Sequence, residues 1–230
     1  MSKDKSFHLS RKKRYAIFAI ITAIGISVAL YNSLSSFNYG HTKEWTFDSY
    51  QNNTSPSDFA AFQSNSEPGL WMIKADDSAP SKPNVMATSP TENSSGYHMQ
   101  IMPDSPTASE AEVTVKFKIL PGHHVEQAGL VVRFIDPSHY FVLMADPLNN
   151  RISLCKADTQ FVVCNYETTA EISTGQWHTL GATLSSEGIG GWFDGNEVIK
   201  ANTQYYQTGQ VGLWTKDDAE AHFDDLQIKY

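Results

Sequence analysis

Residues 112–119, Glu-Val-Thr-Val-Lys-Phe-Lys-Ile, alternate polar and apolar side chains without a break. A period of two puts Val113, Val115, Phe117 and Ile119 on one face of an extended chain and Thr114, Lys116 and Lys118 on the other, which is the pattern of a half-buried antiparallel strand. The same short period recurs along the chain, and strands are expected at 71–75, 85–88, 97–102, 128–135, 140–146, 151–157, 161–166, 178–184, 191–193, 197–201, 211–215 and 222–229. Turn formers separate them: Pro121-Gly122, Asp136-Pro137, Asp146-Pro147, Asp194-Gly195 and Gly209. Asp194-Gly195 supplies the positive φ that a two-residue hairpin turn requires. No window after residue 35 carries a helical apolar stripe, so these strands must bury their apolar faces against one another. The expected class is an all-β, two-sheet antiparallel sandwich.

The N-terminus has a different character. Tyr15 to Tyr31 is 17 residues without a charge, preceded by Arg11-Lys12-Lys13-Arg14. At ~1.5 Å per residue this run is ~25 Å long, close to the ~30 Å hydrocarbon core of a bilayer, and it extends to Leu34. The run exceeds the usual ~7–15-residue core of a cleaved signal, so a single transmembrane signal-anchor is preferred to a signal cleaved near Ser27-Val28-Ala29. The cations should remain cytoplasmic. Four segments are therefore expected: a cytoplasmic basic segment (1–14), a transmembrane helix (15–34), a short linker (35–44) and an extracytoplasmic domain (45–230). Without residues 1–34 the chain loses six of its 17 Lys and Arg and one of its 25 Asp and Glu, which leaves a formal charge of −13. That field repels phosphate backbones, so nucleic acid is not an expected partner.

Cys155 and Cys164 fall on the two arms of one expected hairpin with its turn near Asp158-Thr159-Gln160, and an oxidising exterior favours a bridge between them. Alternation also sorts the neighbouring strands into faces. Leu130, Val132 and Phe134, then Phe141, Leu143 and Ala145, then Ile152 and Leu154, then Phe161 and Val163 point to the core. Arg133, Tyr140, Met144, Asp146, Arg151, Cys155, Val162, Cys164 and Tyr166 point away. If that face is concave, Arg133, Tyr140, Asp146, Arg151 and Tyr166 make a polar and aromatic floor suited to sugars. The alternative is an Arg133–Asp146 pair on a solvated sheet. Among the tryptophans, Trp45, Trp71, Trp177 and Trp214 read as packing residues, and Trp192 as the exposed one and a further ligand contact. Asn52, Asn53 and Asn93 head Asn-X-Ser/Thr triplets and mark polar loops.

Several stretches together resemble the concanavalin A-like lectin/glucanase superfamily: Trp45-Thr-Phe-Asp48, Ala79-Pro-Ser-Lys-Pro-Asn-Val85, the run from Gly129 to Phe141, Gly175-Gln-Trp-His178, Trp192-Phe-Asp-Gly195, Gly209-Gln-Val-Gly-Leu-Trp-Thr215 and Phe223-Asp-Asp-Leu226. Within it they are similar to the laminin-G-like and 3-keto-disaccharide hydrolase-like bacterial and archaeal domains, formerly a domain of unknown function. The resemblance implies a jelly roll, and it covers nearly the whole of 45–230. Most of its residues are aromatics and turn glycines, which specify fold more than function. Met144 stands about where relatives carry an arginine.

The laminarinase-type glucanases of this superfamily carry Glu-x-Asp-x-x-Glu on one strand, because retaining hydrolysis needs two carboxyls ~5–5.5 Å apart. This sequence has no Glu-x-Asp. A hydrolase would need another set, for which Asp136, His139 and Asp146 are the candidates. His123-His124 reads as a solvated turn. Asp48, Asp224 and Asp225, with Asp217 and Asp218 nearby, are candidates for a structural Ca2+ site, but a solvated acidic edge is the preferred reading. No other cofactor is expected. The leading expectation is a membrane-anchored module that binds carbohydrate or another cell-envelope partner without catalysis. A glycoside or keto-sugar hydrolase and a structural subunit of a membrane or envelope complex are the alternatives.

Overall fold

The computed structural model describes residues 39–63, 70–90, 94–102, 104–159 and 161–230. The expected basic segment and transmembrane helix lie outside the described residues, as do 35–38 of the linker, Asn93 and Gln160. No helix among the described residues is long and apolar enough to cross a membrane. One compact unit spans Tyr39–Tyr230.

Its strands are β1 (Thr42–Trp45), β2 (Ala60–Gln63), β3 (Leu70–Ala75), β4 (Asn84–Ser89), β5 (Tyr97–Ile101), β6 (Ala111–Ile119), β7 (Ala128–Asp136), β8 (His139–Asp146), β9 (Arg151–Asp158), β10 (Phe161–Thr169), β11 (His178–Ser185), β12 (Gly188–Phe193), β13 (Asn196–Ala201), β14 (Gln210–Lys216) and β15 (Ala221–Lys229). They form two antiparallel sheets. One runs β13-β12-β11-β6-β15-β4-β3 with β1 added on β15, and the other runs β10-β9-β8-β7-β14-β5-β2. The expected two-sheet all-β sandwich is what the chain forms.

The alternation in β6 shows why. Ala111, Val113, Val115, Phe117 and Ile119 all enter the main core between the sheets, while Glu112, Thr114 and Lys116 are half-buried on the other side. Leu130, Val132, Phe141, Leu143, Ala145, Ile152 and Leu154 meet them from the facing sheet. Each large side chain fully buried there contributes about 1.5–3 kcal/mol. Truncating Phe117 to alanine would cost about 3–5 kcal/mol by leaving a cavity between the layers.

Local chemistry sets the strand ends. Asp194 (φ 45°) and Gly195 (φ 79°) close the β12–β13 hairpin as their sequence predicts. Asp225 (φ 46°) forms a bulge in β15, so that the strand pairs with β4 at His222 and Phe223 and with β1 from Leu226 to Lys229. The first and last strands are thus neighbours. Cys155 and Cys164 are directly opposite each other on β9 and β10 and are joined by the expected disulfide.

Candidate functional site

The seven-stranded sheet carries a second apolar cluster on the face turned away from its partner sheet. Met99, Ile101, Val131, Phe134, Tyr140, Val142, Met144, Cys155, Ala157 and Trp214 make it up, with Phe62, Tyr97, Val162 and Cys164 at its margin. It forms because β7 and β8 are nearly continuous apolar runs, Gly-Leu-Val-Val-Arg-Phe-Ile and Tyr-Phe-Val-Leu-Met-Ala, and therefore apolar on both faces. Trp214, expected in the core between the sheets, lies in this second cluster, with its ring stacked on Tyr97 at 5.4 Å.

The polar floor expected on this face is not assembled, and two bulges explain most of the difference. Arg133 has φ 52°, and the β7–β8 register shifts between Val132 and Asp136. The extra residue reverses the alternation, so Phe134 turns outward onto Tyr140 and Phe62 while Arg133 turns inward and is fully buried. Its guanidinium donates to the carbonyls of Ser185, Gly188 and Tyr205 at 2.7, 3.1 and 3.2 Å. A second register shift, between Cys164 and Tyr166, rotates Tyr166 against the core between the sheets. Phe161 and Val163, expected inside, are 70% and 48% exposed on the edge strand β10.

Asp146 and Arg151 sit at a corner, away from a floor. Asp146 is buried and accepts hydrogen bonds from Gln127 Nε2 (2.8 Å), Asn149 N (3.1 Å) and Asn149 Nδ2 (2.8 Å). Arg151 lies 3.6 Å from it and 3.3 Å from Glu167, so Arg151 is the partner of Asp146 and Arg133 is not. Trp192 lies on the other sheet, half-buried, and donates to Thr183 Oγ1 at 3.0 Å.

Of the catalytic candidates, the structure joins only two. His139 Nδ1 is 2.9 Å from the Asp136 carboxylate beside the β7–β8 turn. Burial acts to raise the Asp136 carboxyl, but hydrogen bonds from His139 and the Ser138 N–H hold it lower than usual. Asp146 is seven residues along β8 from His139, or ~23 Å at ~3.3 Å per residue. Asp136 and Asp146 are therefore no pair for glycoside hydrolysis. The metal candidates are bonded within the protein: Asp48 accepts from Asn84 N (3.0 Å), and Asp224 from Ser81 N, Ser81 Oγ and Asp225 N (2.8 Å each). Among the described residues no three His, Cys, Asp or Glu side chains converge as a metal site.

A groove of about 660 Å³ lies over the outer cluster. Tyr140, Ala157 and Val162 form its apolar base, Phe161 and Pro137 one wall, and Tyr97, Lys216 and Asp217 another, while Gln63, Ser138 and Thr159 contribute polar groups. Backbone bonds hold its walls in place. The Thr159 N–H donates to Ser138 O at 3.1 Å, joining two hairpin tips. The Asp217 N–H donates to Gly96 O (2.8 Å), and Asp217 Oδ1 accepts from the Gly96 N–H (2.6 Å). Burial, and then the Asp217 carboxylate, push the Tyr97 phenol up. Burial raises Tyr140 to about 12. Both phenols stay neutral over the physiological range.

Of the groove-lining residues, only Tyr140 is a ligand contact expected from sequence; Tyr97 and Lys216 carry no such expectation, Phe161 is expected in the core and Asp217 beside the Ca2+ candidates. The chain ends of β5, β10 and β14 bring these together, and strand order is not written in any local pattern. The adjacent pair Tyr205-Tyr206, in the polar stretch 202–209, was a usable signal for a further exposed aromatic site.

No protein-family model and no curated protein matches this sequence. Solved structures do match by shape. A carbohydrate binding module, CBM66 from Bacillus subtilis, is 16% identical with a TM-score of 0.61, over 76% of this chain and 98% of that one. A Bacillus licheniformis beta-glucanase is 14% identical with a TM-score of 0.53 (83% and 99% covered). The exoplasmic/lumenal domain of VIP36, solved bound to Ca2+ and Man3GlcNAc, is 14% identical with a TM-score of 0.53 (82% and 89% covered). The fold is the concanavalin A-like jelly roll, as the sequence resemblance implies, and at these identities the likeness concerns the fold alone.

Proposed function

We propose that this chain is a membrane-anchored extracytoplasmic module that binds carbohydrate in the groove on its seven-stranded sheet and catalyses no reaction. The groove carries the proposal. Its apolar base with an exposed phenylalanine at one wall matches the CH-rich faces of sugar rings, and Gln63, Ser138, Thr159, Lys216 and Asp217 can exchange hydrogen bonds with hydroxyls. Two structures of the same fold are, by description, a carbohydrate binding module and a sugar-bound domain, which is consistent with this reading.

The absence of a paired carboxylate among Asp136, His139 and Asp146 favours binding over glycoside hydrolysis. The anchor and the location rest on the apolar run from Tyr15 to Tyr31 behind its basic block, and a disulfide suits the oxidising side of the membrane. Screening the detergent-solubilised full chain on a glycan array, with and without Ca2+, tests the function. Binding to a defined sugar class that Phe161→Ala and Lys216→Ala weaken is expected; an empty array would refute it.

A further inference from the structure

A second aromatic site lies beyond the groove, at the end of the sandwich where the inner side of β9 projects past the core. Tyr205 is 60% exposed, and the Lys156 ammonium lies 3.9 Å from the centre of its ring. The same ammonium donates to Asp158 Oδ2 at 2.8 Å, and the Asp158 side chain is about half exposed (49%). Tyr206 packs edge-on to His139 and Phe141 and donates its hydroxyl to Ala157 O at 3.0 Å, which fixes the base of the pair.

This loop is held by features that a solvated connection does not need. Tyr206 adopts a left-handed backbone (φ 46°). The fully buried Arg133 cation donates to Tyr205 O. Gly209 packs so tightly on the Arg133–Phe134 backbone that a Cβ there would come within 2.3 Å of it. A buried charge and a left-handed tyrosine thus fix the orientation of one exposed ring.

We propose that Tyr205, Lys156 and Asp158 form a second carbohydrate subsite, in which the phenol ring stacks on a neutral pyranose or furanose and the Lys156–Asp158 pair recognises two vicinal hydroxyls. The pairing suits a diol, because Lys156 donates to one oxygen while the Asp158 carboxylate accepts from the next. A neutral sugar is favoured over an anionic one because the Asp158 and Asp136 carboxylates both act on the Tyr206 phenol, so carboxylates outnumber the lysine beside the tyrosine pair. Phe161 lies directly opposite Asp158 on β10 and lines the groove, so the two sites adjoin around one hairpin. A chain of several sugar units can therefore occupy both. This inference rests on the carbohydrate-binding reading of the groove.

The test uses the detergent-solubilised full chain and hexasaccharides of β-glucan, xylan, mannan and fructan as probes, with affinity measured by titration. For the probe that wild type binds, Tyr205→Ala and Lys156→Gln should each weaken affinity at least tenfold. Tyr205→Phe should keep it within about twofold, and the thermal midpoint of all three variants should match wild type. If wild type binds a probe and Tyr205→Ala binds it equally well, the second subsite is refuted and the groove reading stands. If wild type binds none of them, both are refuted.

Discussion

Gly209 lies against Arg133: a Cβ on Gly209 would be 2.3 Å from the Arg133 carbonyl carbon and 2.6 Å from Phe134 N. Backbone cannot yield as a flexible side chain does. Gly209→Ala must therefore move either the 202–209 loop or the bulge that turns Arg133 inward. The expected loss is about 1–3 kcal/mol, measured as a lower urea midpoint. The tyrosine pair should be displaced with it, seen as greater accessibility of Tyr205 to chemical labelling. An unchanged midpoint and labelling rate would mean that the close approach is not maintained.

Asp224 is fully buried with only hydroxyl and amide donors around it, and burial raises its carboxyl to about 6 from 3.8. A folded value above the unfolded one means that the folded state holds its proton more tightly. Its contribution is thus complete below pH ~3.8 and is lost as pH rises through ~6, a change of roughly 3 kcal/mol. The difference in unfolding free energy between wild type and Asp224→Asn, measured from pH 4 to 7.5, should move in the variant's favour by that order. A pH-independent difference would contradict the account.

Asp76 behaves in the opposite sense. Burial would raise it, but hydrogen bonds from Lys118, Ser78 and His222 outweigh that effect and hold it far below the usual carboxylate range. Its stabilisation is present above pH ~3.8 and is lost as pH falls below it. Lys118→Gln leaves the carboxylate in the same pocket without its cation. We expect a loss of roughly 3 kcal/mol at pH 7 and acid unfolding at a higher pH than wild type, both read by circular dichroism.

The Cys155–Cys164 bridge closes a loop between residues nine apart. Loop-closure entropy for that length gives about 2–3 kcal/mol. The double Cys→Ser variant should show this loss in denaturant titration. Reduced wild type should show a similar loss, and an unchanged midpoint in both would argue against a stabilising bridge.

How far the sequence could be read depended on whether alternation ran unbroken. In β6 it did, and every core residue from Val113 to Ile119 was legible. The Asp194-Gly195 turn and the Cys155–Cys164 pairing were legible too, because the turn chemistry and the separation along one hairpin are local. The faces of β7 were legible only up to Arg133, and those of β10 only at Val162 and Cys164, because Phe161 and Val163 are exposed on the edge strand ahead of the bulge near Asn165. A bulge inserts one residue and inverts everything after it, and the arginine at 133 does not announce a left-handed backbone. Arg133 and Tyr166 were therefore placed on the wrong face, and Phe134 with them. Asp146 looked like a binding group because it is a charge in an apolar strand, yet its oxygens bind Gln127 and Asn149. The groove brings together ends of β2, β5, β8, β9, β10 and β14, a relation that strand order creates and sequence spacing does not contain.

The central claim is that the groove on the seven-stranded sheet binds carbohydrate. Its most direct test is equilibrium titration of the full chain, wild type and Phe161→Ala, with the sugar class selected by the array. Phe161 is 70% exposed, so its removal should leave the thermal midpoint unchanged. The account predicts saturable binding by wild type and at least tenfold weaker binding by Phe161→Ala. Equal affinity in the two proteins, or no binding by wild type to any neutral glycan, would contradict it.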